Sequence, residues 1–169
     1  MLDLKGQVLI ATGDIDTMDE EFQSVWVILD HTPEITTLFC ISRAVEEEIE
    51  LDVRRKIPEL PESIQILRGG SMDGVDKHMI FVHREPLKLN PSVELAPKFR
   101  ISMKHENVFK LEDSHAANCR IVMGFDTWDP EQLEEEIREG FWSLRSIAHV
   151  GATFFRFSPA ELWARLQLQ

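Results

Sequence analysis

The apolar positions of this chain fall into short blocks, most too brief for a helix and closed by glycine, proline or acidic residues. Residues 7–12 form such a run, ended by Gly13, and predict a buried strand. Five acids crowd residues 14–21, as in a solvated loop. Residues 24–30 and 36–42, with their Val, Ile, Trp and Phe content, predict two further strands.

Residues 43–56 carry two patterns at once. Val45, Ile49 and Val53 fit a helical stripe, whereas Ile49, Leu51 and Val53 alternate like a strand. Acids at Glu46 to Glu48 and bases at Arg54 to Lys56 match a helix macrodipole and favour the helix, with Ser42 as its expected cap. Pro58 and Pro61 break the chain. Residues 64–68 and 79–84 predict strands flanking the turn GGSMDG, where Asp73 and Asp76 read as turn residues. Three prolines, Pro86, Pro91 and Pro97, then mark an irregular crossing before expected strands at 99–103 and 120–125, with a short helix near 106–112 between them.

The sharpest local signal is Asp129-Pro130-Glu131-Gln132. Asp caps the backbone, Pro suits the first helical position, and a helix over 130–139 follows, stopped by Gly140. Ser158-Pro159-Ala160-Glu161 repeats the device for a final helix that returns Leu162, Trp163 and Leu166 to the body. Many strands and two or three helices place the chain in the α+β class.

Composition narrows the function classes. At 169 residues the chain has the size of one domain, residues 1–169, able to bury a core without a disulfide or metal staple. A net charge of −12 argues against non-specific nucleic-acid binding, which depends on Lys and Arg displacing counterions. One local exception is residues 77–110, with seven Lys or Arg against three Glu. Cys40 and Cys119 sit apart among apolar neighbours, without metal or redox spacing, as buried thiols of a reducing cytosol. The N-terminus lacks signal-peptide character and no run is long enough to span a membrane, so a soluble cytoplasmic protein is expected.

Four segments together resemble the bacterial YqgE/AlgH family over about residues 6–166. They are the opening GQVLIATGDIDTMDEEFQSVWVILDH with Phe22, Ser24, Val25 and His31; the turn LRGGSMDG and strand IFVH, with Gly69, Gly70 and His83; GFDTWDPEQLEEEIREGFW, with Gly124, Trp128, Gln132, Leu133, Glu134, Glu136 and Trp142; and the terminal pair Leu162-Trp163. Two departures stand out. Ser42-Arg43-Ala44 replaces the Asn-Arg-Pro or Asn-Lys-Pro common in the family, and Ser71 follows the double glycine in place of Pro. The resemblance implies a bent mixed β-sheet folded into a partly closed barrel with helices packed outside. It carries a label of transcriptional regulation without a settled biochemical activity.

Candidate chemistry is sparse. His31 and His83 each end an expected strand, near Trp128 and the Gly69-Gly70 turn if the strand ends converge. Such a cluster would offer imidazole and backbone N–H donors to a small anion; the bland alternative is a pair of strand-end histidines bonded to backbone. Arg43, just after a strand, is the best-placed cation for an anionic ligand, unless it pairs with the Glu46 to Glu48 run. Cys40 with His31 would make a nucleophile pair only if folded together, against the alternative of a core thiol. Trp128, Trp142 and Trp163 read as pins between helix and sheet in preference to a binding platform. No zinc, calcium or serine-hydrolase pattern is present, and no cofactor is implied. The leading expectation is a non-enzymatic regulatory or interaction domain for a protein or small anionic ligand. The alternatives are a nucleic-acid-binding regulator and an enzyme using His31, His83 or Cys40.

Overall fold

Two-residue alternation along the strands sorts their side chains into three apolar layers, and these layers set the architecture. The structure, a computed structural model, describes residues 2–13, 23–71 and 78–168. The acidic stretch 14–21, Phe22 and the turn residues Asp73 and Asp76 lie outside the described residues.

The first sheet has the order β10-β1-β2-β3-β9, formed by β1 (Gln7–Ala11), β2 (Val25–His31), β3 (Thr36–Cys40), β9 (Asp126–Trp128) and β10 (Trp142–Ser146), antiparallel throughout. The second has the order β4-β8-β5-β7-β6, formed by β4 (Gln65–Arg68), β5 (Met79–His83), β6 (Val93–Ala96), β7 (Phe99–Ser102) and β8 (Cys119–Met123). Within it β4 and β8 run parallel and the other pairs antiparallel.

Odd and even positions part cleanly. Val8, Ile10, Val25, Val27, Phe39 and Ile41 of the first sheet share a core with Leu67, Ile80, Val82, Val122, Phe99 and Ile101 of the second. Their immediate neighbours face the other way. Leu9, Trp26, Ile28, Leu38 and Cys40 meet Leu133 of α2 (Pro130–Arg138). Ile66, Met79, Phe81, Ile121 and Met123 meet Val53 of α1 (Glu47–Lys56). Helices α3 (Ile147–Arg156) and α4 (Pro159–Gln167) insert Val150, Phe154, Phe155, Leu162, Trp163 and Leu166 into the shared core. Strands covered on both faces explain why the apolar runs read as continuous blocks.

The expected bent mixed sheet in a partly closed barrel is not confirmed: among the described residues the strands divide between two five-stranded sheets, and neither closes. The α+β class stands. The chain nevertheless stitches the sheets together beyond β3. The Cys40 N–H donates to the Gly69 carbonyl at 2.8 Å, and the Arg68 N–H to the Arg43 carbonyl at 3.0 Å. Residues 40–45 thus leave the first sheet along the free edge of β4. The double glycine permits that approach: a Cβ on Gly69 would lie 2.3 Å from the Gly124 carbonyl oxygen and 2.4 Å from Val122, and one on Gly70 would lie 2.6 Å from the Phe125 carbonyl carbon.

Local signals fare unevenly. Asp129 caps α2 by accepting from the Gln132 N–H at 3.0 Å, a contact worth about 1 kcal/mol. Helix α1 starts at Glu47 and not at Arg43, so Ser42 does not cap it; its hydroxyl accepts from the Val25 N–H at 3.0 Å. Ser158 precedes α4 without a side-chain cap bond. The expected short helix consists of two 3-10 turns, His105–Lys110 and Asp113–His115.

Candidate functional site: a tryptophan cleft closed by Arg43

Trp26, on β2, projects toward the α2 face of the first sheet, where its Nε1 donates to the Ser24 hydroxyl at 2.9 Å. Trp128 ends β9, at one edge of this sheet, and Trp142 begins β10 at the other. The three indoles form a contiguous wall. Trp26 and Trp128 have ring centroids 4.8 Å apart at 58°, and Trp128 and Trp142 5.6 Å apart at 38°. Glu136 of α2 orients the last of them, accepting from Trp142 Nε1 at 3.3 Å.

This wall lines an open cleft of about 710 Å3, with Ser24, Arg43, Asp126 and Phe141 among its other residues. Its size falls in the range of small-molecule and peptide pockets. Asp126 is engaged at the floor, where it accepts from the Ser71 N–H at 2.8 Å. Arg43 stands at the far end with its guanidinium carbon 5.9 Å from the centre of the Trp26 ring. Its Nε is buried and has no hydrogen-bond partner, and no carboxylate among the described residues lies within ion-pair distance. Of the acid run beside it, Glu46 pairs with Arg68 instead. Arg43 also borders a second cleft of about 720 Å3, which it shares with Ser42, Arg68 and Trp163.

The sequence-based candidates scatter accordingly. Arg43 and Trp128 face one cleft. Gly69 and Gly70 lie beneath it, where a Cβ on Gly70 would touch Asp126 at 2.8 Å, so this pair serves close backbone packing. His31 is in the same cross-strand row as Thr36 and Trp128 but does not line the cleft. Its Nδ1 lies 2.7 Å from the Thr36 hydroxyl, and its Nε2, without a hydrogen bond, faces Glu134 at 3.8 Å. A register shift between Ile28 and Asp30 turns His31 toward the same face as Trp26. His83 belongs to the other sheet, fully buried opposite Cys119 and Arg100, and neither ring nitrogen makes a well-formed hydrogen bond. Burial pushes its pKa below the ordinary 6.5, with the Leu87 backbone opposing and Arg100 adding to the shift.

Cys40 pairs in register with Trp26 at one end of the β2–β3 ladder, while His31 occupies the other end. The thiol contacts Ser42 at 3.4 Å, and burial raises its pKa against that contact. Cys119 is pushed up to about 12 by burial. The structure therefore does not assemble His31, His83 and Cys40 into one constellation. Among the described residues there is no group of three or more His, Cys, Asp or Glu able to hold a metal. No described helix is long and apolar enough to cross a membrane.

Trp26, Asp126 and Glu136 also line the cleft, and the sequence pattern does not mark them as site residues. Trp26 was hidden inside an apolar strand pattern; only the pairing of β2 with β3 and β9 brings it beside Trp128.

Comparison with known proteins follows the same outline. UPF0301 proteins of Chlamydia trachomatis serovar L2b and Rickettsia prowazekii are 22% and 24% identical to the chain, each covering 95% of it, with 82% and 85% of their own lengths matched. The AlgH protein of Pseudomonas aeruginosa, known from a solution structure, superposes with a TM-score of 0.64 at 22% identity over 98% of this chain and 86% of its own. A crystal structure of a Corynebacterium diphtheriae protein gives 0.66 at 15% identity over 100% of this chain and 88% of its own. The AlgH-like family model, DUF179, matches residues 8–168, from within β1 to just past α4, and the chain belongs to that family.

Proposed function

We propose that this protein is a non-enzymatic binding domain whose tryptophan cleft takes a small molecule or partner segment with a flat apolar body and an anionic end. The carrying observation is Arg43: a guanidinium laid on Trp26 at the end of an aromatic wall, with its Nε buried and unpartnered. A desolvated donor without an acceptor costs about 1–3 kcal/mol, which a carboxylate or phosphate oxygen arriving with a ligand would recover. The indole faces supply area and the arginine supplies direction. Catalysis finds less support, because the buried thiols and histidines stand apart and away from the cleft.

Titration with small aromatic carboxylates and acidic peptides, read by tryptophan fluorescence, tests the reading. Saturable changes that vanish in Arg43→Gln and persist in Arg68→Gln support it. Compounds that bind equally well to Arg43→Gln, or a protein recovered bare from gentle lysates in repeated native mass spectrometry, would count against it. A regulator acting directly on DNA predicts salt-sensitive binding to duplex at low ionic strength; with a net charge of −12 we expect none.

A further inference from the structure

The stretch 77–110 holds seven basic residues. Three of them, Arg84, Lys98 and Arg100, converge on one cavity of about 510 Å3 at the end of the second sheet, remote in sequence from Arg43 and sharing no lining residue with the tryptophan cleft. From this convergence we infer a second binding site, in which Arg84, Lys98 and Arg100 hold a small, multiply charged phosphate-class anion.

Each cation is positioned by its own device. Arg84 follows β5 directly. Its N–H donates to the Asn118 carbonyl at 3.0 Å, its Nε to Asn118 Oδ1 at 3.0 Å, and one terminal nitrogen to the Ala117 carbonyl at 3.3 Å. The ring of Phe155 supports it from below, 4.7 Å from the guanidinium carbon. Arg100, on β7, donates through Nε and a terminal nitrogen to the Ser92 hydroxyl at 3.2 and 3.1 Å. Two anchored guanidinium groups give a preorganised site, in which little side-chain entropy remains to be lost on binding.

Lys98 carries the third charge and the least expected geometry. It occupies the turn between β6 and β7, after Pro97, with φ at +67°. Among the described non-glycine residues it alone has a positive φ. Glycine or asparagine would take that conformation more cheaply, since an L side chain there costs on the order of 1 kcal/mol. Lys98 is exposed and lines the cavity, adding a third positive charge to it.

Charge bookkeeping in the cavity favours an anion. Glu94 is engaged by Arg100 at 3.3 Å, leaving Glu85 as the lining carboxylate without an ion pair among the described residues. Arg84 and Lys98 have no carboxylate within ion-pair distance among the described residues. Arg120 adds a further positive charge nearby, its guanidinium carbon 5.9 Å from the centre of the same Phe155 ring. A multiply charged anion outweighs the opposition of Glu85, whereas a single carboxylate would not. A concave pocket bordered by Glu85 and Glu94 is also the wrong shape for the continuous backbone of a duplex.

Calorimetric titration of the full chain with inorganic pyrophosphate at low ionic strength tests the site. Saturable binding is expected, with amide shifts centred on residues 84, 98, 100 and 118. Lys98→Gly should weaken binding about tenfold, the scale of one charge-assisted contact, while leaving the unfolding midpoint equal or higher because the backbone strain is relieved. Glu85→Gln should strengthen binding several-fold, a change no loss of structure would produce. Arg43→Gln should leave it unchanged, so this site stands or falls separately from the tryptophan cleft. Absence of binding, affinities unmoved by Lys98→Gly and Glu85→Gln, shifts centred on the tryptophans, or duplex DNA binding that pyrophosphate does not displace would each overturn the inference.

Discussion

Trp128 and Trp142 touch, with ring centroids 5.6 Å apart, although their strands are the two opposite edges of one five-stranded sheet. Four strand spacings of about 4.8 Å would separate those edges in a flat sheet. Contact between them requires the sheet to curl around α2, whose Leu133 and Ile137 fill the concave side. The indoles thus close the mouth of a trough built from β9, α2 and β10, three consecutive elements of the chain.

If the two rings hold the edges together, their energies are coupled. Trp128→Ala should cost about 2 kcal/mol, less than the roughly 3–5 of a fully buried aromatic, because Trp128 is half-exposed. Trp142→Ala should cost a similar amount, having in addition its bond to Glu136. The double mutant should fall short of the sum by about 1 kcal/mol, the usual worth of an aromatic pair beyond its area. Urea denaturation of the four proteins measures this; strict additivity would mean that each indole only packs on its own strand.

The double glycine makes a contrasting prediction. Gly69→Ala forces a methyl to within 2.3 Å of the Gly124 carbonyl oxygen, a backbone atom that cannot swing aside. The sheets would have to separate where Cys40 bonds Gly69, and we expect a loss above about 3 kcal/mol or failure to fold. Gly140→Ala is the control. That residue ends α2 at φ +87° with nothing within 4 Å of its absent Cβ, so only the left-handed conformation is penalised, by about 1 kcal/mol. Equal unfolding midpoints for the two variants would remove the steric account.

These contrasts also mark what the sequence makes legible. Elements fixed by short-range chemistry are visible in it: Asp129-Pro130 starts α2 where the pattern predicts, and Gly140 ends it. Apolar blocks locate β1, β2, β3, β4, β5, β7 and β8 to within a residue or two. What escapes is carried by pairing. Asp126–Trp128 and Val93–Ala96 are edge strands of three and four residues, half-exposed and without a clear alternation. Ile147–Arg156 is helical through Val150, Gly151 and Thr153, poor helix formers that tertiary packing overrides. Pairing also places β8 between β4 and β5, the two strands that flank the double glycine in sequence. The site is legible only in its single residues: Arg43 and Trp128 are visible as candidates, whereas their meeting with Trp26 depends on strand order.

Arg120 shows how a half-buried guanidinium is held without an ion pair among the described residues. Its terminal nitrogens donate to the carbonyls of Ala116, Cys119 and Phe155, the last at 3.0 Å, and so tie β8 to the C-terminal turn of α3. Burial lowers its pKa, with the nearby Cys119 opposing and Arg84 adding to the effect. Arg120→Met keeps an unbranched apolar stem but strands three carbonyls, and we expect a loss of about 2–4 kcal/mol. Hydrogen exchange should show earlier opening of α3 than of α2 in this variant. Uniform acceleration of both helices would show that the guanidinium does not act locally.

His83 turns burial into a pH dependence of defined sign. Its native pKa lies below 6.5 because the imidazolium is desolvated, while the unfolded chain titrates near the ordinary value. Well above pH 6.5 the ring is neutral in both states and contributes no slope. As pH falls below 6.5 the unfolded chain takes up a proton that the native protein refuses, so stability drops by up to about 1.4 kcal/mol per pH unit until the native pKa is passed. Five other histidines and the carboxylates titrate too, so the useful quantity is a difference between two proteins. His83→Leu replaces two unpartnered nitrogens with an apolar group beside Phe81 and Leu87, and should be close to neutral at pH 7.5. Below pH 6.5 its stability should decline less steeply than that of the parent, the gap widening as the pH is lowered toward 5. Chemical denaturation across that interval decides the matter, and parallel curves would show that His83 gains its proton as easily in the folded protein as in the unfolded chain.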